Sequence, residues 1–394
     1  MKKKLLALAV AGVFIAPVAM ADTANVTIYG VADVSFDMTN NGTTTAGGAA
    51  GTGTSTHKVS SNQSRIGLKG SEDMGSGTSA IWQIESLIAM DGNTGAAGGT
   101  STLATRNSFL GLSGASWGTA LLGRHDTPYK IATRGLDVFA DSIADNRSLM
   151  GGAGLHDARV TDAVAYISPA MSGFTAAVAY VAGAETATLS TDKKGSAWSL
   201  AGLYNAGPVN ASLSYQVVDM GSALTSAGQA LFVTVPSTAA TTYKAKAWKL
   251  GGGYKMDAGE INLAYEKLSD NFGAAGGCVG AVGTADCGGH ADWYLSGKIN
   301  VSSSDAVKLA YTKANNINGG GVAANQTNTG AKQISLGYDH SMSKRTTVYA
   351  LYTKLNNDSA ATYGLGIAGN TGAVANLGAG ASPSAWSLGM KHTF

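Results

Sequence analysis

The chain is poor in charge, nearly free of cysteine, and past its first twenty residues has no long apolar run. Asp, Glu, Lys and Arg make up 13% of its 394 residues. Ordinary soluble domains carry about 25%. No segment after the N-terminal region approaches the 18 consecutive apolar residues that a spanning helix requires. There is no Walker A sequence, no HExxH and no GxSxG, so the common nucleotide, zinc-protease and hydrolase signatures are missing. Gly364-Leu365-Gly366-Ile367-Ala368-Gly369 spells GxGxxG, but with 54 glycines a chance match is expected, and no βαβ context surrounds it. The six histidines are scattered, and no metal site is expected. Nothing calls for a cofactor.

The two cysteines, Cys278 and Cys287, lie in a Gly-rich stretch without a C-x-x-C pair, and His290 alone is near. Exported proteins meet an oxidising compartment, so a local disulfide closing a surface loop is the favoured reading, with two free thiols as the alternative. Export is expected from the front of the chain. Lys2, Lys3 and Lys4 precede an apolar stretch from Leu5 to Val18, and Ala19-Met20-Ala21 has the form of a cleavage site. Residues 1–21 read as a signal peptide and 22–394 as a single domain. Without the three leader lysines, 24 basic residues face 25 acidic ones, which gives no case for nucleic-acid binding.

What the chain does have is period two. In Ser384 to Phe394, Trp386, Leu388, Met390, His392 and Phe394 share one face, while Ser387, Gly389, Lys391 and Thr393 share the other. Sixteen such runs start at Asn25, Arg65, Ala80, Arg106, Thr119, Ala163, Phe174, Ala197, Asn210, Ala245, Glu260, Ala291, Asp305, Lys332, Thr346 and Ser384. Seven short turns, such as Asp73–Thr78, Gly114–Gly118 and Asp257–Gly259, alternate with long polar loops. This is the pattern of a 16-stranded antiparallel transmembrane β-barrel, with a water-filled lumen and a lipid-facing exterior. A soluble sandwich would alternate too, but would not need a leader, this length and a terminal aromatic together. Tyr29, Tyr180, Tyr254, Tyr265, Tyr311, Tyr349 and Trp386 read as interfacial girdle residues.

Two runs, Phe109-Leu110-Gly111-Leu112 and Ala120-Leu121-Leu122, are apolar on both faces. A lumen wall that is apolar needs a cover. The third long connection, about Asp126 to Asp162, is the expected cover. Within it Leu136, Phe139, Ala140 and Ile143 fall at helical spacing, with Asp137, Asp141 and Asp145 on the opposite side. The expectation is an inward-folded loop carrying a short helix, its apolar face on that wall, narrowing the pore.

The ordered set Val26-Thr27-Ile28-Tyr29-Gly30, Ser64 to Asp73, Arg106-Asn107-Ser108-Phe109-Leu110-Gly111-Leu112, Leu122-Gly123-Arg124, Tyr166-Ile167-Ser168-Pro169, Leu336 to Thr346 and Lys391-His392-Thr393-Phe394 resembles the trimeric general-diffusion porins of Gram-negative outer membranes, in the branch common in betaproteobacteria. The resemblance spans essentially the whole chain after the leader. It implies an outer-membrane homotrimer that passes small hydrophilic solutes and ions. It implies assembly by machinery that reads the terminal strand, with Trp386 and Phe394 as its signal. It places Arg65, Arg106 and Arg159 at a pore constriction, and Arg124 joins them by parity with Leu122. Asp137, Asp141 and Asp145 then stand opposite as the other side of a transverse field. No catalysis is expected; His125 with Ser108 is the only pairing an enzyme reading could use. A substrate-specific channel with a saturable site is the alternative to general diffusion.

Overall fold

The computed structural model describes residues 25–43, 53–92, 103–151, 156–182, 195–219, 244–269, 289–317, 327–367, 370–375 and 377–394. The expected leader, and the stretch holding Cys278 and Cys287, lie outside the described residues. Seventeen strand segments appear: β1 Val26–Asn40, β2 Ser55–Ser61, β3 Arg65–Asp73, β4 Thr78–Leu87, β5 Ser108–Gly114, β6 Gly118–Asp126, β7 Arg159–Ile167, β8 Phe174–Val181, β9 Ser196–Ala206, β10 Val209–Asp219, β11 Lys244–Met256, β12 Gly259–Leu268, β13 Ala291–Asn300, β14 Asp305–Ala314, β15 Ala331–Ser341, β16 Thr346–Asn357 and β17 Ser384–Thr393. From β3 onward each pairs antiparallel with the next. Among the described residues no helix is long and apolar enough to cross a membrane; the strands do the crossing.

The sixteen expected runs become sixteen staves because β2 and β3 are one interrupted stave. Both lie beside β1: Val34–Asn40 pairs with β2, and Val26–Val31 with β3. The interruption falls at Asn62-Gln63-Ser64, where Gln63 takes a left-handed φ of 54°. The backbone is not left open there, since Asn62 N–H donates to Asp33 O at 2.9 Å and Asp33 N–H to Ser64 Oγ at 2.9 Å.

Alternation assigns the faces. On β17, Trp386, Leu388 and Met390 are exposed while Ser387 is buried. On β11, Trp248, Leu250 and Tyr254 are exposed while Lys249 is buried. Apolar outside and polar inside is the arrangement a lipid-embedded wall needs. Outer-face aromatics pack in cross-strand contacts, including Trp248–Tyr265–Trp293, Tyr180–Trp198 and Tyr352–Trp386. Tyr29 and Tyr349 correct the girdle expectation. They lie on the inner face, where Tyr29 donates to Glu85 Oε2 at 3.0 Å and Tyr349 to Asp33 Oδ1 at 2.8 Å.

β17 closes the cylinder on β1 over ten residue pairs, from Val31↔Thr393 to Asn40↔Ser384. Phe394 extends the seam by one more residue, exchanging backbone bonds with Gly30 at 2.9 and 3.1 Å. Its ring lies over Gly30. A Cβ at position 30 would collide with Phe394 Cζ and stand 2.6 Å from the Arg65 carbonyl oxygen. A Gly30→Val barrel is therefore expected to lose about 1–3 kcal/mol through overpacking at the seam. Gly202→Val, where nothing lies within 4 Å, should behave as wild type. Urea midpoints of the heat-modifiable folded band would compare the two; equal midpoints would refute the close seam.

Candidate functional site

The break in the second stave presents Gln63 to two arginines. Arg65 Nη1 donates to Gln63 O at 3.1 Å, and Arg106 Nη1 to Gln63 Oε1 at 2.6 Å. Arg106 also pairs through Nε with Glu85 Oε1 at 2.6 Å. Burial, and the like charges of Arg159 and Arg65, hold the Arg106 guanidinium below its ordinary range, though still protonated. Arg159 donates from Nε to Asn107 Oδ1 at 2.6 Å and from Nη2 to Asp126 Oδ2 at 3.1 Å. Asp126 takes Lys130 Nζ at 2.8 Å on its other oxygen. Two adjacent sets result: Arg65, Gln63, Arg106 and Glu85 beside β3 and β4, and Asn107, Asp126, Lys130 and Arg159 beside β6 and β7.

Residues 127–151 bring the opposing carboxylates. Thr127 caps a helix by accepting from Lys130 N–H at 3.3 Å, Pro128 sits at the first helical position, and α1 spans Pro128–Arg134 before Gly135 ends it. α1 packs against β9, β10 and β11. Buried Tyr129 hydrogen-bonds Glu266, and Tyr129 N–H donates to Ser199 Oγ at 2.9 Å. Past α1 the chain runs in consecutive turns to the 3-10 turn Asn146–Ser148, which Asp145 caps from its side chain. Leu136, Phe139 and Ile143 are buried in a cluster with Ala264, Tyr294, Leu351 and Leu355.

Two expectations change here. The helix lies upstream of the apolar stripe, because Thr127-Pro128 starts it and Gly135 stops it. The stripe also packs against β12–β16 rather than against Phe109 and Leu121. Those two sit with Ala165, Ile167, Ala177 and Ala179 along their own side of the barrel.

Asp137, Asp141 and Asp145 are drawn into ion pairs, most of them within their own segment. Arg134 Nη2 lies 2.7 Å from both Asp141 Oδ1 and Asp145 Oδ2, and its Nη1 3.6 Å from Asp137 Oδ2. Arg147 Nη2 adds bonds to Asp145 at 3.0 Å and Asp141 at 3.4 Å. Arg65 Nη1 reaches Asp141 Oδ2 at 3.3 Å. These guanidiniums outweigh burial and hold the Asp141 and Asp145 carboxyls below the usual range. Asp137 goes the other way, raised to about 6 by burial and by neighbouring Asp145. It accepts from Tyr294 OH at 2.7 Å, Phe139 N–H at 2.9 Å and Asn146 N–H at 3.0 Å.

The structure therefore joins Arg65 to Asp141 directly and brings Arg106 and Arg159 alongside. Arg124 stands apart from the reasoning that selected it. Leu122 is exposed on the outer face, and the register shifts between Gly123 and His125, so parity does not carry through the bulge. Arg124 nonetheless lies within electrostatic reach of Arg159 and Asp126. Arg134, Arg147, Lys130, Glu85 and Asp126 were not anticipated. Spacing signals existed for two pairs: Arg134 and Asp137 are three apart, Asp126 and Lys130 four. Trp386 and Phe394 are exposed on the outer face.

The family model for Gram-negative porins matches residues 7–361. The chain belongs to that family. It is 29% identical over 406 residues to outer membrane porin protein 32 of Delftia acidovorans, covering 100% of each chain. It is 27% identical over 380 residues to an outer membrane porin of Bordetella pertussis strain Tohama I, covering 89% of this chain and 93% of the relative. The solved structure of an anion-selective porin from Comamonas acidovorans superposes with a TM-score of 0.73 at 25% identity, over 94% of this chain and 100% of that one. Porin family and barrel together make this protein a multi-pass channel of the bacterial outer membrane. It passes small hydrophilic solutes and ions passively and is not an enzyme.

Asp137 provides a pH test. Its folded range is raised, so the neutral form favours the folded segment, and this group's support is complete below pH 4 and lost as pH rises through about 6. Asp141 and Asp145 are depressed and lose their contribution only as pH falls below 4. Backbone amides of residues 136–148 should be better protected at pH 5 than at pH 8 after correction for intrinsic exchange. Asp137→Asn should flatten that difference; an unchanged profile in the variant would assign the effect elsewhere.

Proposed function

We propose that residues 127–151 fold into the barrel as the third long loop, with α1 on its leading part, and form a constriction that favours anions in an otherwise general-diffusion pore. The balance of the ion-paired set carries this reading. Arg65, Arg106, Lys130, Arg134, Arg147 and Arg159 meet Glu85, Asp126, Asp137, Asp141 and Asp145. Arg124 adds a seventh cation within electrostatic reach. Asp137 is also partly protonated near neutrality. The excess is positive, and a charged ring in a narrow wet pore sorts ions by sign. Two further observations support it: the buried contacts of Tyr129 and Phe139 with inner-face residues, and the similarity to the Comamonas porin described as anion-selective.

Reversal potential in a salt gradient across a planar bilayer tests the sign. The wild type should prefer the anion. Arg65→Glu changes the local charge by two units, worth about 1–2 kcal/mol at ~5 Å in water before screening, so the permeability ratio should fall several-fold toward cations. Raising the salt should weaken both effects, because the Debye length shrinks. A wild type that prefers cations at low salt would sink the reading.

The same reading takes 1–21 as a cleaved leader, 22–394 as one barrel domain and the working form as a homotrimer. It also takes the strand holding Trp386 and Phe394 as the element that the barrel-assembly machinery recognises through edge pairing. Loss of the Phe394 ring removes on the order of 1.5–3 kcal/mol of apolar burial at most, which is small beside a closed barrel. Deleting Phe394 should therefore slow the appearance of heat-modifiable trimer in outer-membrane fractions while leaving conductance of assembled channels unchanged. Wild-type rates in the deletion would reduce Phe394 to a lipid-facing side chain.

A further inference from the structure

We propose that Asp37, Ser60, Asn62 and Asn370 form a binding site for a hard divalent cation of the calcium class, roofed by Thr371 and Gly372. It adjoins the arginine set through Gln63 and Asp141 but does not depend on the ion selectivity argued above.

Asp37 stands on the inner face of β1, and Ser60 near the end of β2. Asn62 belongs to the break that follows, and Asn370 to the chain between β16 and β17. Asn62 and Asn370 form an isolated antiparallel bridge, which sets their side chains next to each other. Ser61 N–H donates to Thr371 Oγ1 at 2.7 Å, and Thr371 N–H to Ser61 O at 3.2 Å, so two bonds beside the bridge hold the roof down.

All four side chains are buried, with exposures of 0% for Asp37 and Ser60, 2% for Asn62 and 4% for Asn370. Among the described residues each keeps one oxygen without a hydrogen-bond partner: Asp37 Oδ2, Ser60 Oγ, Asn62 Oδ1 and Asn370 Oδ1. Buried polar atoms are normally satisfied, and these unpaired oxygens, two on bridged asparagines and two beside Gly372, call for a partner. Asp37 and Ser60 converge on the place where Gly372 lacks a side chain. A Cβ there would collide with Asp37 Oδ2 and stand 2.8 Å from Ser60 Oγ.

Two neighbouring donors are already engaged. Ser35 Oγ donates to Asp37 Oδ1 at 2.8 Å, and Asn62 Nδ2 donates to Ser35 Oγ at 2.8 Å and to Tyr349 OH at 3.1 Å. These bonds orient the Asn62 amide with its nitrogen toward Ser35 and Tyr349, leaving its oxygen to the other side. Lys58 is the cross-strand neighbour of Asp37, and Lys391 acts on Asp33, but neither pairs with Asp33 or Asp37 among the described residues. Carboxylate, amide and hydroxyl oxygens without thiolate or imidazole suit calcium or magnesium rather than zinc. Ligands drawn from three separate chain segments suit the larger, geometrically tolerant ion.

The consequence reaches the pore. Asn370 Nδ2 donates to Asp141 O at 3.0 Å. A cation held by Asn370 Oδ1 therefore fixes the segment that presents Asp141 to Arg65.

Full-length channel, freed of metal with EDTA and dialysed, would be titrated calorimetrically with calcium chloride and separately with magnesium chloride. One calcium per chain is expected, with weaker magnesium binding. Asp37→Asn and Gly372→Val should each lower calcium affinity at least roughly tenfold, the lower end of what even outer-shell changes cost a metal site. Ser60→Ala serves should Asp37→Asn fail to fold, and should weaken binding in the same direction. Absence of saturable calcium binding, or wild-type affinity in both Asp37→Asn and Ser60→Ala, would overturn the site and leave these oxygens to water.

Discussion

Within hydrocarbon no backbone N–H or C=O can be left without a partner, and this barrel meets that condition through β1. One edge of β1 pairs along β17 for ten residues. Its other edge is shared by β2 and β3. Every stave in between is an ordinary antiparallel neighbour; β1 alone serves three segments. The interruption of the second stave is tolerated because Asp33 of β1 bonds to both Asn62 and Ser64 around it. That frees Gln63 from the ladder, and its left-handed backbone and side-chain amide become the acceptors for Arg65 and Arg106. Strain at a single residue is stored where two guanidiniums meet oriented acceptors.

The staves and their faces were legible in the chain because period two is the face assignment: reading Trp386, Leu388 and Met390 against Ser387 already says which side meets lipid. The seven short turns were legible for the same reason, since each separates two alternating runs. Three features were not. The stave beside β1 reads as one run from Arg65, because Ser55–Ser61 carries too few apolar residues to announce itself. Tyr29 and Tyr349 look like girdle aromatics until their phenols are seen to bond Glu85 and Asp33, a long-range fact that no local pattern contains. The helix was misplaced because the apolar spacing at Leu136, Phe139 and Ile143 was read as helical, whereas Thr127 and Pro128 start the helix upstream of it. The stripe was real as burial, but turns at 136–144 supply it without a helix.

The central segment shows why charge type alone did not reveal the site. Read in one dimension, three aspartates at positions 137, 141 and 145 look like one wall of a transverse field. In the fold, Arg134 and Arg147 of the same segment lie among them. Asp141 and Asp145 each bond both guanidiniums, so removing the two together would strand buried carboxylates, which typically costs about 3–5 kcal/mol, and the pairing is also what holds the turns together.

Phenols complete this partition. Tyr29 binds Glu85, Tyr349 binds Asp33, Tyr294 binds Asp137 and Tyr129 binds Glu266. A phenol satisfies a carboxylate oxygen without adding positive charge, and so orients the acid without cancelling it. The segment's own arginines do the cancelling. Asp141 alone of its three aspartates reaches a wall arginine, at 3.3 Å from Arg65. The wall cations Arg65, Arg106 and Arg159 therefore face a segment whose charges are largely balanced internally. On the reading proposed above, the field between them is closer to one-signed than transverse, which is what would give a barrel of nearly neutral composition a preferred ion sign.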